Sequence, residues 1–196
     1  MNLAHFFTFL RILISPLFPI LYLGASWLGL PLQALPYVLL VLLAISETSD
    51  FLDGFLARRR NQVTDVGKVL DPMADSVSRI SLFLTFTQGP VQLPLLLVLV
   101  FLYREFFIST LRTLCALRGV ALAARFSGKV KTAVQAVVAF LILGLMIPYT
   151  TGALSEQTLQ LISLIAVSLA AAYTTLSAID YFYSNRTYIK KALEHL

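Results

Sequence analysis

Residues 50–75 read DFLDGFLARRRNQVTDVGKVLDPMAD, and the reading of the whole chain turns on them. They reduce to DxxDGxxAR, a gap of eight residues, and GxxxDxxxD. At about 100° per residue, Asp50, Asp53, Gly54 and Ala57 share one face of a helix, and Gly67, Asp71 and Asp75 share one face of the next. Two helix ends joined by a hairpin then point four carboxylates at one spot. Such acids repel one another, and each costs about 2.5–3.5 kcal/mol near the middle of a membrane unless something positive sits among them. The basic residues nearest in sequence, Arg58 to Arg60 and Lys68, fall on neighbouring faces or in the loop, so a bound divalent cation is the economical partner. Ligands that are all oxygen suit Mg²⁺ or Mn²⁺, which share their shell readily with phosphate. Gly54 and Gly67 leave space on those faces for a ligand or a second backbone. The plainer alternative is that the acids cap helices and form surface ion pairs.

The setting of this motif is apolar. Of 196 residues 58% are hydrophobic, and the mean hydropathy is +0.83, more apolar surface than one soluble core of this size hides. The expected fold is all-α: a polytopic membrane protein of one domain, 1–196, with six transmembrane helices at about 8–28, 34–57, 67–87, 92–117, 129–149 and 157–184. The linkers 29–36, 87–94 and 147–158 contain no Lys or Arg, whereas 58–68, 118–131 and 185–191 are basic. The positive-inside rule places both termini and the two basic loops in the cytoplasm, and with them the acidic motif. That location is a cytoplasmic (inner) membrane, multi-pass, with the chemistry open to water-soluble nucleotides. The net charge of +5 lies at the ends of apolar runs, which fits a membrane surface and argues against nucleic acid. Cys115 is the single cysteine, so no intramolecular disulfide is possible and a packing role is expected. Residues 2–9 carry no basic cluster, so no cleavable signal peptide is expected.

The double motif resembles, without a gap, the signature of the CDP-alcohol phosphotransferases. The resemblance implies two Mg²⁺ ions, or Mn²⁺, held by Asp50, Asp53, Asp71 and Asp75. It implies a donor, CDP-diacylglycerol, that loses CMP while its phosphatidyl group passes to an alcohol, with Asp75 taking the proton from the acceptor hydroxyl. On that footing Asp53, Gly54, Ala57, Arg58 and Gly67 belong to the donor site. Relatives often begin NxPNxxTxxR, which maps onto Asn2, His5, Thr8 and Arg11 and is associated with the nucleotide end of the donor. Here Ala4 replaces the proline and His5 the second asparagine. On sequence alone Arg11 reads equally as a side chain snorkelling to the headgroups.

A second constellation concerns the acceptor. The run YREFFISTLR sets Arg104 and Arg112 eight residues apart in apolar company, and SGKVKT follows with Lys129 and Lys131. A pocket of Arg104, Arg112 and Lys129 would suit an acceptor that bears a phosphate, while Lys131 reads as a cytoplasmic-edge anchor. RExxxSxxR, RG and GKxKTxxQ, here Arg104, Glu105, Ser109, Arg112, Arg118, Gly119, Gly128, Lys129, Lys131, Thr132 and Gln135, resemble the branch of the family that uses glycerol 3-phosphate. Ser76 and Thr113 depart from that branch, which commonly has lysine and glutamate there. Phosphatidylglycerol or inositol phosphate are the alternative acceptors. Relatives are commonly homodimers. Nearby, Glu47 reads as a partner of Asp50 or of a basic group, Arg79 as a structural counter-charge, and Pro72 as a bend that helps aim Asp71 and Asp75. An ion-coupled transporter and a purely structural membrane protein are the readings from other classes.

Overall fold

The computed structural model describes residues 3–59, 65–117, 119, 122 and 125–193. The side chains of residues 3–7, 50, 51, 53–59, 65–71 and 191–193 lie outside that description. All regular structure among the described residues is helical: α1 (Leu3–Ile14), α2 (Leu17–Gly24), α3 (Leu35–Arg59), α4 (Asp65–Thr85), α5 (Leu95–Leu117), α6 (Phe126–Thr150) and α7 (Glu156–Leu193).

Four of the six expected spans match single helices to within a few residues, the last matches α7 at its start but ends nine residues before Leu193, and the first is divided. Pro16 has no N–H and its ring crowds the preceding turn, so α1 stops at Ile14, with Ser15 returning both its backbone N–H and its hydroxyl to the carbonyl of Arg11. By contrast, α4 continues through Pro72 and α6 through Pro148. Among the described residues two helices, Phe126–Thr150 and Glu156–Lys190, are long and apolar enough by composition to cross a membrane. The others fall short for physical reasons: α1 and α2 are each too short, and α3 to α5 carry the acidic motif and its basic partners.

The turns are built by specific residues. Between α4 and α5 the chain reverses through Gly89 at φ +67 and Gln92 at φ +48, closed by Leu93 N–H to the carbonyl of Phe86 at 2.9 Å. Tyr22 of α2 locks this turn, donating its hydroxyl to the carbonyl of Gln88 at 3.2 Å and meeting Phe86 edge-on. After α6, Gly152 at φ +80 returns its N–H to Tyr149, the left-handed residue that commonly ends a helix. Ser155 then caps α7, its hydroxyl accepting from the N–H of Thr158.

In the packing, α4 is central and touches α1, α2, α3, α5 and α6. Helix α7 lies along α5 and α6, and α1 lies against α3 and α4. The apolar core runs through Phe18, Leu39, Leu82, Phe83, Phe101, Ile142 and Met146, each at most 2% exposed, with Phe83 and Phe101 in ring contact across α4 and α5. Cys115 is buried in α5, as a packing role requires. Polar groups are buried beside this core, among them Arg11, Arg79, Lys131, Gln135 and Thr174, while Trp27, Leu96, Leu117 and Phe126 are each at least three-quarters exposed.

Candidate functional site

Asp50, Asp53, Gly54, Ala57 and Arg58 lie on α3, and Gly67, Asp71 and Asp75 on α4, so both halves of the acidic motif are helical as their spacing requires. Of the four aspartates, Asp75 is the one whose side chain falls among the described residues. The side chains of Asp50, Asp53, Ala57, Arg58 and Asp71, the surroundings of Gly54 and Gly67, and Arg118 lie outside them.

Asp75 is held by Arg79, one helical turn further along α4. The Nη2 of Arg79 donates to Asp75 Oδ1 at 2.6 Å and lies 3.4 Å from Glu47 Oε1 of α3. Its Nη1 donates to the backbone carbonyl of Thr132 on α6 at 2.6 Å. Arg79 is thus the counter-charge expected of it, and Glu47 resolves as its partner. The guanidinium fork reaches a carboxylate and a carbonyl at once, which fixes direction as well as charge. Just below, Ser46 and Ser78 bond across α3 and α4 at 3.1 Å.

Arg11 is 1% exposed and shares a small hollow with Glu47, Asp75, Ser78 and Arg79. This excludes the snorkelling alternative: packing of α1 against α3 and α4 turns the side chain inward. Thr8, one turn earlier, is equally buried.

On the opposite side of Asp75 a second hollow is lined by Asp75, Ser76, Arg79, Glu105, Lys131 and Gln135, among others. Glu105 gathers it together. Its Oε1 accepts from Arg104 Nη1 at 3.0 Å and from Lys131 Nζ, and its Oε2 accepts from Ser76 Oγ at 3.2 Å. Lys131 is 4% exposed, which overturns its reading as an edge anchor. Lys129, two residues earlier and therefore on the other side of α6, is exposed and outside this cluster. Arg112 is also elsewhere: its Nε donates to the hydroxyl of Tyr181 on α7 at 3.1 Å, with the guanidinium over that ring. Of the three cations expected around the acceptor, the structure therefore brings in Arg104, with Lys131 beside it.

Glu105 as the hub was not singled out from the sequence, although its place between Arg104 and a run of apolar residues was a signal. Gln135 is buried and bonded to Thr174 of α7 at 3.3 Å, a link across α6 and α7 that spacing alone does not reveal. On the same two helices, Asp180 of α7 takes Arg125 and the hydroxyl of Ser127.

Comparison with known proteins gives this geometry a family. The CDP-alcohol phosphatidyltransferase family matches residues 1–178. The chain belongs to that family. It is accordingly an enzyme of the phosphatidyltransferase class, which decides against the transporter and structural readings. Among curated members, a CDP-diacylglycerol–glycerol-3-phosphate 3-phosphatidyltransferase of Bacillus subtilis (strain 168) is 31% identical over 190 residues, covering 94% of this chain and 95% of that protein. One of the same name from Rickettsia typhi is 32% identical over 189 residues, covering 95% and 98%. A cardiolipin synthase (CMP-forming) of Streptomyces coelicolor is 48% identical over 66 residues, 34% of this chain and 30% of its own. Every group described above except Asp180 and Tyr181 of α7 falls within the family match.

Proposed function

We propose that this phosphatidyltransferase moves the phosphatidyl group of CDP-diacylglycerol to glycerol 3-phosphate, giving phosphatidylglycerophosphate and CMP in phospholipid biosynthesis. The observation that carries the reading is the position of Asp75, held by Arg79 and flanked by the Arg104–Glu105–Lys131 cluster that suits a phosphate-bearing alcohol. The relatives named for that reaction match nearly end to end.

The donor set fits a hard divalent ion, because Asp50, Asp53, Asp71 and Asp75 offer only oxygens, as Mg²⁺ or Mn²⁺ requires. When bound, two such ions supply positive charge to the donor pyrophosphate and to the departing CMP. The chain does the rest. Asp75 accepts the proton of the acceptor hydroxyl as that oxygen attacks the lipid-linked phosphorus and the bond to the CMP oxygen breaks. Arg79 fixes the carboxylate for this transfer. Asp53, Gly54, Ala57, Arg58, Gly67, Thr8 and Arg11 form the donor side. Arg104 and Lys131 grip the acceptor phosphate.

The chain acts as a single membrane domain of six spans, α1 and α2 together making one, with both termini and the active site facing the cytoplasm, and as a homodimer. Large apolar side chains on the exterior with charges held inside support the membrane placement. The cardiolipin synthase match favours a second reading, the same chemistry with phosphatidylglycerol as acceptor.

The test is to give purified protein CDP-diacylglycerol and Mg²⁺ with each acceptor singly and follow CMP. Release is expected with glycerol 3-phosphate and is expected to stop when a chelator removes the metal. Asp75→Asn, which keeps shape but cannot take the proton, is expected to lower kcat by at least about a hundredfold. Wild-type turnover in a folded Asp75→Asn protein would defeat the assignment.

A further inference from the structure

Glu105 lines the acceptor hollow beside Lys131 and bridges that lysine to Arg104 directly behind it, an arrangement in which a phosphate would take the place of the carboxylate. One carboxylate oxygen takes Arg104 of its own helix and Lys131 of α6, and the other takes Ser76 of the helix that carries Asp75. Three donors from three helices converge on a single anionic group. Neither cation is free to retreat. Lys131 is 4% exposed, and a Cβ placed on Gly128 would lie 3.5 Å from Arg104 Nη2, so the guanidinium rests close against α6. The Nε of Arg104 is buried and meets no acceptor among the described residues, so the guanidinium keeps one hydrogen-bond donor unused beside Glu105.

We propose that Glu105 is a specificity-determining residue, an internal stand-in for the acceptor phosphate that an incoming alcohol must displace from Arg104 and Lys131. This rests on the reading of that hollow as the acceptor site. With Glu105 in place, the cluster presents one net positive charge instead of two. A phosphate monoester dianion brings three charged oxygens and competes with the carboxylate. A neutral alcohol brings nothing that dislodges it, and a singly charged phosphodiester competes poorly. Ser76 acts as the latch on the second oxygen, and thereby ties acceptor exchange to the helix of Asp75.

The sign of one measurement decides the matter. In Glu105→Gln the opposing charge is gone while the side chain keeps its size, so phosphate meets two unopposed cations. Expected are a KM for glycerol 3-phosphate, and an inhibitory concentration of inorganic phosphate, each lower on the order of tenfold, whatever happens to kcat. If both rise or stay unchanged, Glu105 merely organises the cations and the proposal falls. Ser76→Ala, which keeps all charges and loosens only the latch, is expected to lower the same KM by roughly two- to threefold. It serves as the readout if Glu105→Gln does not fold, and an unchanged or raised KM there overturns the proposal equally. Lys131→Gln separates the two levels. If it leaves KM and phosphate inhibition unaltered, the hollow is not the acceptor site at all; if it weakens both, the site stands and the outcome rests on Glu105 alone.

Discussion

Arg79 is the residue that joins Asp75 and Glu47 to the backbone of α6. Arg79→Met takes from Asp75 and Glu47 the guanidinium that lies between them, and breaking a largely buried pair on one side costs roughly 3 kcal/mol. A clear drop in thermal midpoint in detergent is therefore expected for Arg79→Met, together with loss of turnover. Arg79→Lys keeps the charge but replaces a two-pronged fork by a point, so it is expected to fold while losing kcat more than KM. Equal loss of both, or none, would contradict the positioning role. Arg79 was legible in the sequence because it stands four residues from Asp75 on one helix. The assignment of Lys129 over Lys131 was not, because two positions apart on a helix are nearly opposite faces and nothing local says which face of α6 looks inward. Arg11 was ambiguous for a related reason: its burial comes from packing against α3 and α4, which spacing within α1 does not encode.

At the scale of elements, the turn between α4 and α5 shows how a loop keeps α4 in place. Gly89 has φ +67, and a Cβ there would fall 2.6 Å from Cε1 of Tyr22, the ring that pins this turn to α2. Gly89→Ala is expected to cost about 2 kcal/mol of stability, seen as a lower unfolding midpoint, because it combines left-handed strain with a clash against a buried ring. Tyr22→Phe, which removes only the hydroxyl bonded to Gln88, is expected to cost about 1 kcal/mol. Helix limits were well read from apolar runs and Pro/Gly-rich linkers, since both follow from local composition. The break after Ile14 was signalled by Pro16 and passed over, because hydropathy is blind to a missing N–H when the residues on either side remain apolar.

For the whole molecule, Arg11, Arg79 and Lys131 are buried beneath large exposed apolar side chains, and the membrane topology proposed above is the property to measure. In a Cys115→Ser background, Asn61→Cys is expected to react with a membrane-impermeant maleimide only after the cytoplasmic side is opened, and Ala153→Cys in intact cells. The reverse pattern would invert the topology drawn from the basic loops. One further consequence concerns how such a molecule is made. Helix α7, about 57 Å long at 1.5 Å per residue, supplies the last partners of three earlier groups: Thr174 for Gln135, Asp180 for Arg125 and Tyr181 for Arg112. Until the ribosome has delivered it, those side chains face lipid or solvent without their companions. A nascent chain cut short after residue 155 would insert its earlier helices yet remain marked by exposed polarity, a natural target for the proteases that survey newly made membrane proteins. Pulse-chase labelling of that truncated chain beside the full-length one is expected to show rapid clearance of the shorter product alone.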